Sequence, residues 1–357
     1  MKIKQYVPDP IKRVLRPLVR KPSVEARVPK RGSHPKTLSI EPTNRCNLNC
    51  PFCLVGLQNT LPSTSHDLLP RGFGFMDMDM YRKIVKDAAD FGIKKMQLHF
   101  QGESLLHKQF PEMVHLAKAQ GMFTQAFTNG LAITPKMAQT IVESKLDVLQ
   151  FSVDGASEES YQQNRVGGKF LDVREKMQLM VDTARAKRSS INLSWQFITL
   201  RNNEHEIEAA KQIAAEIGIN FFQKTFAATD PELVPMNSQY QRQLQIKPCT
   251  DIYRAIFVYW NGDVVPCCYD HKGENIVGNL FQNTLEEIWN ASSYIELRHR
   301  IDSAFENPDG EPQMCKSCLK WGHEPSRTSD GRATWHESSI TSAEPTDVIK
   351  TTKSDFV

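Results

Sequence analysis

The chain has 357 residues, 40% of them apolar and 24% charged, with a formal net charge of +3; that length suits one large α/β domain plus an appendage. No run of about 18 apolar residues occurs, which excludes a predicted transmembrane helix, and the N-terminus lacks the apolar stretch of a secretory signal. A reducing, cytoplasmic setting is expected, in which the eight cysteines bind metal rather than pair as disulfides, and no nucleic-acid partner is expected.

Residues 1–36 form a basic N-terminal arm. They hold eleven Lys/Arg against Asp9 and Glu25, a net +9, so the remainder carries about −6. Ile11, Val14, Leu15, Leu18 and Val19 fall on one helical face between Lys12, Arg13, Arg16 and Arg20. Such a face suits weak contact with an anionic membrane surface, although Pro17 works against a long helix. The plainer reading is a solvated arm docked on the enzyme's own acidic surface.

Between residues 37 and 228, β-rich runs alternate with helical ones. Strands are predicted at about 38–43, 94–100, 123–128, 147–153, 191–198 and 219–226, and helices at about 77–91, 108–120, 134–144, 170–187 and 205–217. Six βα units in sequence predict a parallel sheet with right-handed crossovers. Polar and apolar residues alternate within these strands. Gln97, His99 and Gln101 interleave with Met96, Leu98 and Phe100; Gln150, Ser152 and Asp154 with Leu149, Phe151 and Val153; Asn192, Ser194 and Gln196 with Leu193, Trp195 and Phe197. Ser39, Glu41 and Thr43 repeat the pattern. A parallel sheet covered on both faces reads as continuous apolar runs, so this one is predicted to be curved, with helices outside and a polar lumen inside.

Directly after the first strand, Cys46, Cys50 and Cys53 stand at Cys-x3-Cys-x2-Cys spacing, on a loop at the C-terminal end of a strand where α/β sheets place ligands. Three thiolates leave a structural zinc site incomplete, although His66 lies thirteen residues further on. Thiolates also hold iron–sulfur clusters, and three of them leave one iron open to a ligand. This spacing, with an aromatic residue before the last cysteine, resembles the radical S-adenosylmethionine (SAM) superfamily over about residues 38–226. The superfamily's Gly-Gly-Glu motif is similar to Gln101-Gly102-Glu103, with Gln at its first position and Ser104 in place of the usual following Pro. The resemblance implies a partial (βα)6 barrel, a SAM-binding 4Fe–4S cluster on Cys46, Cys50 and Cys53, and a methionine amino group held at 101–103. It further implies SAM contacts from Asn129, Ser152, Asp154 and Arg165, with Phe52 near the adenine. Capping or ion pairing is the plain alternative for Ser152, Asp154 and Arg165.

Four later cysteines read as a unit, Cys249-x17-Cys267 and Cys315-x2-Cys318, in residues 229–324. Residues 259–266 predict a hairpin turning at Asn261-Gly262. A hairpin plus a Cys-x2-Cys knuckle also suits a zinc ribbon. The pattern resembles the SPASM extension in its shortened twitch form, which implies one auxiliary 4Fe–4S cluster, and the spacing is close to that of 2-deoxy-scyllo-inosamine dehydrogenases. Cys268 is left over and, next to a ligand on an extended segment, is predicted to face the other way. It reads either as a buried structural thiol or as a hydrogen-atom donor.

The resemblance implies a radical oxidoreductase that draws electrons from a flavodoxin or ferredoxin and abstracts hydrogen from its substrate. The leading expectation is a polar small molecule (a sugar, cyclitol or aminoglycoside-like compound) whose alcohol is oxidised through the auxiliary cluster, with His99 as proton acceptor. Epimerisation with Cys268 as donor and modification of a peptide are the alternatives. Only about 37 residues precede the core, too few for a separate leader-binding domain, while stretches at 185–188 and 239–245 offer peptide contacts. A non-enzyme reading, a scaffold with structural zinc at both cysteine groups, leaves the polar strand faces unexplained. The loop 54–76 is long and is expected to line the substrate entrance. Residues 325–357, rich in Ser, Thr and charge, read as a disordered tail.

Overall fold

The computed structural model describes residues 34–62, 68–225, 232–241, 249, 251–304 and 315. Almost all of the basic arm, His66, Cys318 and the predicted tail lie outside the described residues.

The six predicted strands form as β1 (Thr37–Ile40), β2 (Lys95–Gln97), β3 (Phe123–Thr128), β4 (Val148–Ser152), β5 (Asn192–Thr199) and β6 (Asn220–Thr225). Between them lie α1 (Leu54–Asn59), α2 (Met78–Asp90), α3 (Phe110–Ala119), α4 (Pro135–Glu143), α5 (Glu158–Asn164), α6 (Phe170–Ala186) and α7 (Ile207–Ile217). Their polar ends explain several boundaries. Asp77 caps α2 by accepting from the amides of Asp79 and Met80. Thr134 caps α4, with Pro135 in the first turn, and Gly218 ends α7 in the left-handed conformation that a helix stop favours. The apolar side of α2, with Met80, Tyr81, Ile84 and Ala88 at helical spacing, packs into the same core as Leu38, Met96, Leu98, Leu149, Phe151, Leu193 and Trp195. The sequence reading passes over α1 and α5. Both are under two turns, and neither shows an apolar period long enough to read.

The strands are parallel in the order β6-β5-β4-β3-β2-β1, an open arrangement consistent with a partial barrel. The sheet then continues. After the six βα units come β7 (Ala255–Val258), β8 (Asp263–Val265), β9 (Gly278–Asn279), α8 (Leu285–Asn290) and α9 (Ser292–Ala304). Strand β7 pairs with β1 in parallel, with Thr37 opposite Ala255 and Ile40 opposite Val258. β8 and β9 follow antiparallel, turning at Gly262 with φ +82°. The hairpin expected at 259–266 forms and is part of the main sheet. The second segment is also tied to the helical layer, since Asp87 of α2 accepts from the amide of Leu285 at the start of α8, at 2.6 Å. Among the described residues no helix is long and apolar enough to cross a membrane.

Candidate active site

The loop after β1 is held from several sides. Asn44 Nδ2 donates to the Gly72 carbonyl at 2.7 Å and its Oδ1 accepts from the Gly74 amide at 2.9 Å. Asn59 Nδ2 donates to the carbonyls of Cys46 (3.2 Å) and Leu48 (3.1 Å), and the Asn49 amide reaches the Val166 carbonyl at 2.8 Å. Helix α1 folds under the loop so closely that a Cβ on Gly56 would lie 2.5 Å from both the nitrogen and the oxygen of Cys50. Gly56→Ala is therefore expected to push the cysteine loop off its helix and cut iron retained at this site by more than half, measured as iron per chain after anaerobic purification.

Cys46, Cys50 and Cys53 converge on one cavity. Burial, then the negative charges of Glu103 and Cys50, push the Cys46 thiol up to about 12. Three sulfurs so placed are ionised together only when a cation sits among them. Asn129 Nδ2 lies 3.9 Å from Cys46 Sγ and Arg165 Nη1 lies 3.9 Å from Cys50 Sγ. These donors face the sulfurs, so the donor set fits a thiolate-held cluster.

Beside the cysteines, the segment 101–103 makes a tight cradle. Gly102 has φ +75°, and a Cβ there would meet the Thr43 oxygen and the Asn44 carbonyl carbon at 2.6 Å. The Glu103 carboxylate accepts from Thr128 Oγ1 at 2.8 Å, the Asn129 amide at 2.6 Å and the Leu105 amide at 3.1 Å. Burial pushes this carboxyl up and those bonds pull it back. Gln101, which replaces a glycine, turns its Oε1 to Arg71 Nη2. Arg71 also holds Glu41 at 2.9 Å and the His271 carbonyl at 2.7 Å, and stacks 3.7 Å over the Tyr259 ring. One buried guanidinium thus binds β1, the cradle and the C-terminal hairpin together.

Ser39, Ser152 and Gln196 line the cavity from the strands, with Phe52 and Arg165 opposite. Asp154 lies behind that wall. It is fully buried, pairs with Arg165 Nη2 at 2.6 Å and accepts from the Ile198 amide at 2.8 Å. Arg165 in turn sits 5.6 Å from the Phe52 ring centre. His99, Cys268, His271 and Lys224 complete the far side. Cys268 lines this cavity and Cys267 does not; the chain turns here, with the Asp270 amide donating to the Cys267 carbonyl at 3.1 Å, rather than running on as the extended segment expected. Cys249, Cys267 and Cys315 pack against or within the same apolar core, and the Tyr269 amide donates to Cys267 Sγ at 3.4 Å. The fourth predicted ligand, Cys318, lies outside the described residues.

The radical SAM superfamily model matches residues 40–219, half of the chain, and an iron–sulfur cluster-binding SPASM domain matches residues 249–319. The chain belongs to the radical SAM superfamily. PqqA peptide cyclase of Gluconobacter oxydans is 25% identical over 334 residues, covering 81% of this chain and 85% of the relative. That of Rhizobium meliloti is 23% identical, covering 84% of each. Among solved structures, Streptococcus suis SuiB bound to precursor peptide SuiA aligns with TM-score 0.59 at 14% identity, over 74% of this chain and 67% of SuiB. Native anSMEcpe with bound AdoMet aligns with TM-score 0.53 at 15% identity, over 84% of this chain and 92% of the other. At those identities the structures speak for the fold.

Radical SAM and SPASM domains imply two 4Fe–4S clusters and bound SAM. Cys46, Cys50 and Cys53 would hold the first cluster, which when bound would supply the electron for reductive cleavage of SAM; the chain's own residues supply binding, orientation and exclusion of water. Sequence reasoning missed Lys224 and His271, and gave Arg71 and Thr128 no part in holding the cradle. Arg71 and His271 are 200 residues apart and no local pattern joins them. Lys224 was readable, because it sits opposite Ile198 in the sheet register.

His99 is buried, its ring centre 3.9 Å from that of Phe127 with the two rings tilted by 56°. Burial, then the charges of Lys224 and Lys95, push its imidazole down to about 3, so it is neutral at pH 7 and a weak base. The folded protein refuses a proton that the unfolded chain takes below about pH 6.5. The stability contributed by neutral His99 is full above that pH and is lost as pH falls towards 3, at up to about 1.4 kcal/mol per unit. His99→Gln is expected to flatten this loss, read as urea midpoints at pH 7 and pH 5 beside the wild type.

Proposed function

We propose that this radical SAM enzyme modifies a peptide. The observation that carries the reading is the similarity to PqqA peptide cyclases, which runs through more than four-fifths of both chains. The site geometry is compatible with it. Glu103 is partnered from within the protein, while both ring nitrogens of His99 and Gln101 Nε2 have no hydrogen-bond partner among the described residues, polar atoms that suit a peptide backbone as well as a sugar. The weak basicity of His99 also leaves alcohol oxidation with a poor proton acceptor. The reductant is a flavodoxin or ferredoxin, acting on the first cluster.

The test incubates reduced enzyme and SAM with the short peptides encoded beside its gene, and separately with cyclitols and amino sugars. Peptide-dependent 5′-deoxyadenosine release, with a peptide product lighter by two hydrogens, is the expected result. Turnover with a cyclitol alone, giving a ketone, would return the function to small-molecule dehydrogenation.

A second reading rests on Cys268, which is 3% exposed and lines the cavity of the three cysteines. In this reading its thiol would return a hydrogen atom to a substrate radical and so invert a carbon. Solvent deuterium at one carbon of a product of unchanged formula, lost in Cys268→Ala, distinguishes this outcome.

A further inference from the structure

Two side chains on the wall of the cysteine cavity carry nitrogens that no other described residue takes up. His99 and Gln101 stand two residues apart in the segment that leaves β2, and both line the cavity. Each is 5% exposed. Neither ring nitrogen of His99, nor Gln101 Nε2, has a hydrogen-bond partner among the described residues.

Both side chains are fixed in place. Ser39 Oγ donates to the His99 carbonyl at 2.6 Å, and the imidazole lies against the Phe127 ring. Gln101 is oriented by Arg71. A guanidinium only donates, so the carboxamide oxygen turns to Arg71 Nη2 and the NH2 group is left on the other edge. Arg71 itself is anchored by Glu41 at 2.9 Å and the His271 carbonyl at 2.7 Å, so the carboxamide cannot flip without losing this contact. Gln101 stands where the motif it resembles has glycine, which makes its side-chain amide an addition to the backbone cradle.

A buried polar group without a partner is costly, and these three nitrogens define what satisfies them. Burial keeps the imidazole neutral, so one of its nitrogens donates and the other accepts. Gln101 Nε2 only donates. The complementary ligand therefore offers acceptors together with at least one N–H or O–H. A carboxylate, that of the SAM methionine included, offers acceptors alone and would leave the accepting nitrogen of His99 unpaired. A peptide unit offers both, a carbonyl oxygen and an N–H.

We propose that His99 and Gln101 form a subsite for a backbone amide of the substrate, with Gln101 Nε2 donating to its carbonyl and His99 accepting its N–H. The imidazole N–H then takes a second carbonyl of the same chain. This inference rests on the peptide reading above and adds which part of the peptide is held, the main chain rather than a side chain. Such a subsite fixes how deep the peptide enters, and it leaves the choice of residue to the rest of the wall.

The test uses anaerobically reconstituted full-length enzyme, saturating SAM and the short peptides encoded beside its gene. The peptide that gives 5′-deoxyadenosine is also made as a series with single backbone amides replaced by esters, which removes one N–H at a time. Wild type is compared with Gln101→Glu, which keeps an oxygen for Arg71 and turns the donor into an acceptor, and with His99→Phe, which keeps a ring and removes both nitrogens. Iron is counted in each. The expected result is a peptide KM about tenfold higher in each variant, the loss of about one hydrogen bond, with a much smaller change in kcat. One ester position should raise KM in the wild type and raise it no further in His99→Phe, a coupling that a merely structural histidine would not produce. Peptide turnover with KM unchanged in both variants, or with no ester position coupled to His99, overturns the subsite and leaves the peptide reading standing; the nitrogens are then met by water. Absence of turnover with every peptide overturns both. If His99→Phe fails to hold iron, Gln101→Glu and Gln101→Met decide by KM alone.

Discussion

Asp154→Ala is expected to destabilise the protein by about 3–5 kcal/mol, because it strands a buried arginine without its counter-charge. Both partners of the Asp154–Arg165 pair are largely sealed from water, and the carboxylate also accepts from the Ile198 amide. Arg165 lines the cavity of the three cysteines next to Cys50 and Phe52, so freeing it also disturbs the site. SAM affinity should fall together with the urea midpoint. Replacing both members, Asp154→Ala with Arg165→Met, should restore much of the stability and none of the affinity. Equilibrium unfolding of the single and double variants separates these effects. A single variant as stable as the wild type would mean that Arg165 finds another partner.

Gly102→Ala is expected to lower SAM cleavage by at least about 100-fold, a loss of the size that an ångström of misplacement produces. A methyl group there would overlap the backbone of Thr43 and Asn44 at 2.6 Å, in a left-handed conformation that non-glycine residues adopt at a cost of about 1–3 kcal/mol. Neither obstacle is a flexible side chain that can move aside. Glu103 and the cysteine loop must shift instead, since the Glu103 amide donates to the Arg45 carbonyl at 2.8 Å. The check is 5′-deoxyadenosine formed with dithionite as reductant, alongside iron content, which should fall far less than turnover does.

Much of this site was readable because strand parity is a local property. The alternation through Ser39, His99, Ser152 and Gln196 named residues that do line the cavity, and the cysteine spacing named the loop. Parity tells which side chains face inward, but not which of them remain available to a ligand. Asp154 has the right chemistry and position in sequence, yet its oxygens go to Arg165 and Ile198. Gln101 looked like a flaw in a glycine motif, and only the fold brings Arg71 across to meet it. Trp289, Tyr294 and Arg298 drew no reading from the sequence; only packing brings them into one buried stack. The substrate was least legible, because a polar lumen suits a sugar and a peptide equally well.

The pairing of β1 with β7 bears on how the protein is made. Thr37 leaves the ribosome early, and its partner Ala255 follows more than two hundred residues later. At about 5–20 residues per second, one edge of the first strand waits on the order of ten to forty seconds for its neighbour. The cysteine loop that follows β1 is synthesised early in the same interval. A nascent chain of this kind exposes a strand edge and three thiols together, so slow elongation between residues 60 and 250 prolongs the period most open to aggregation and oxidation.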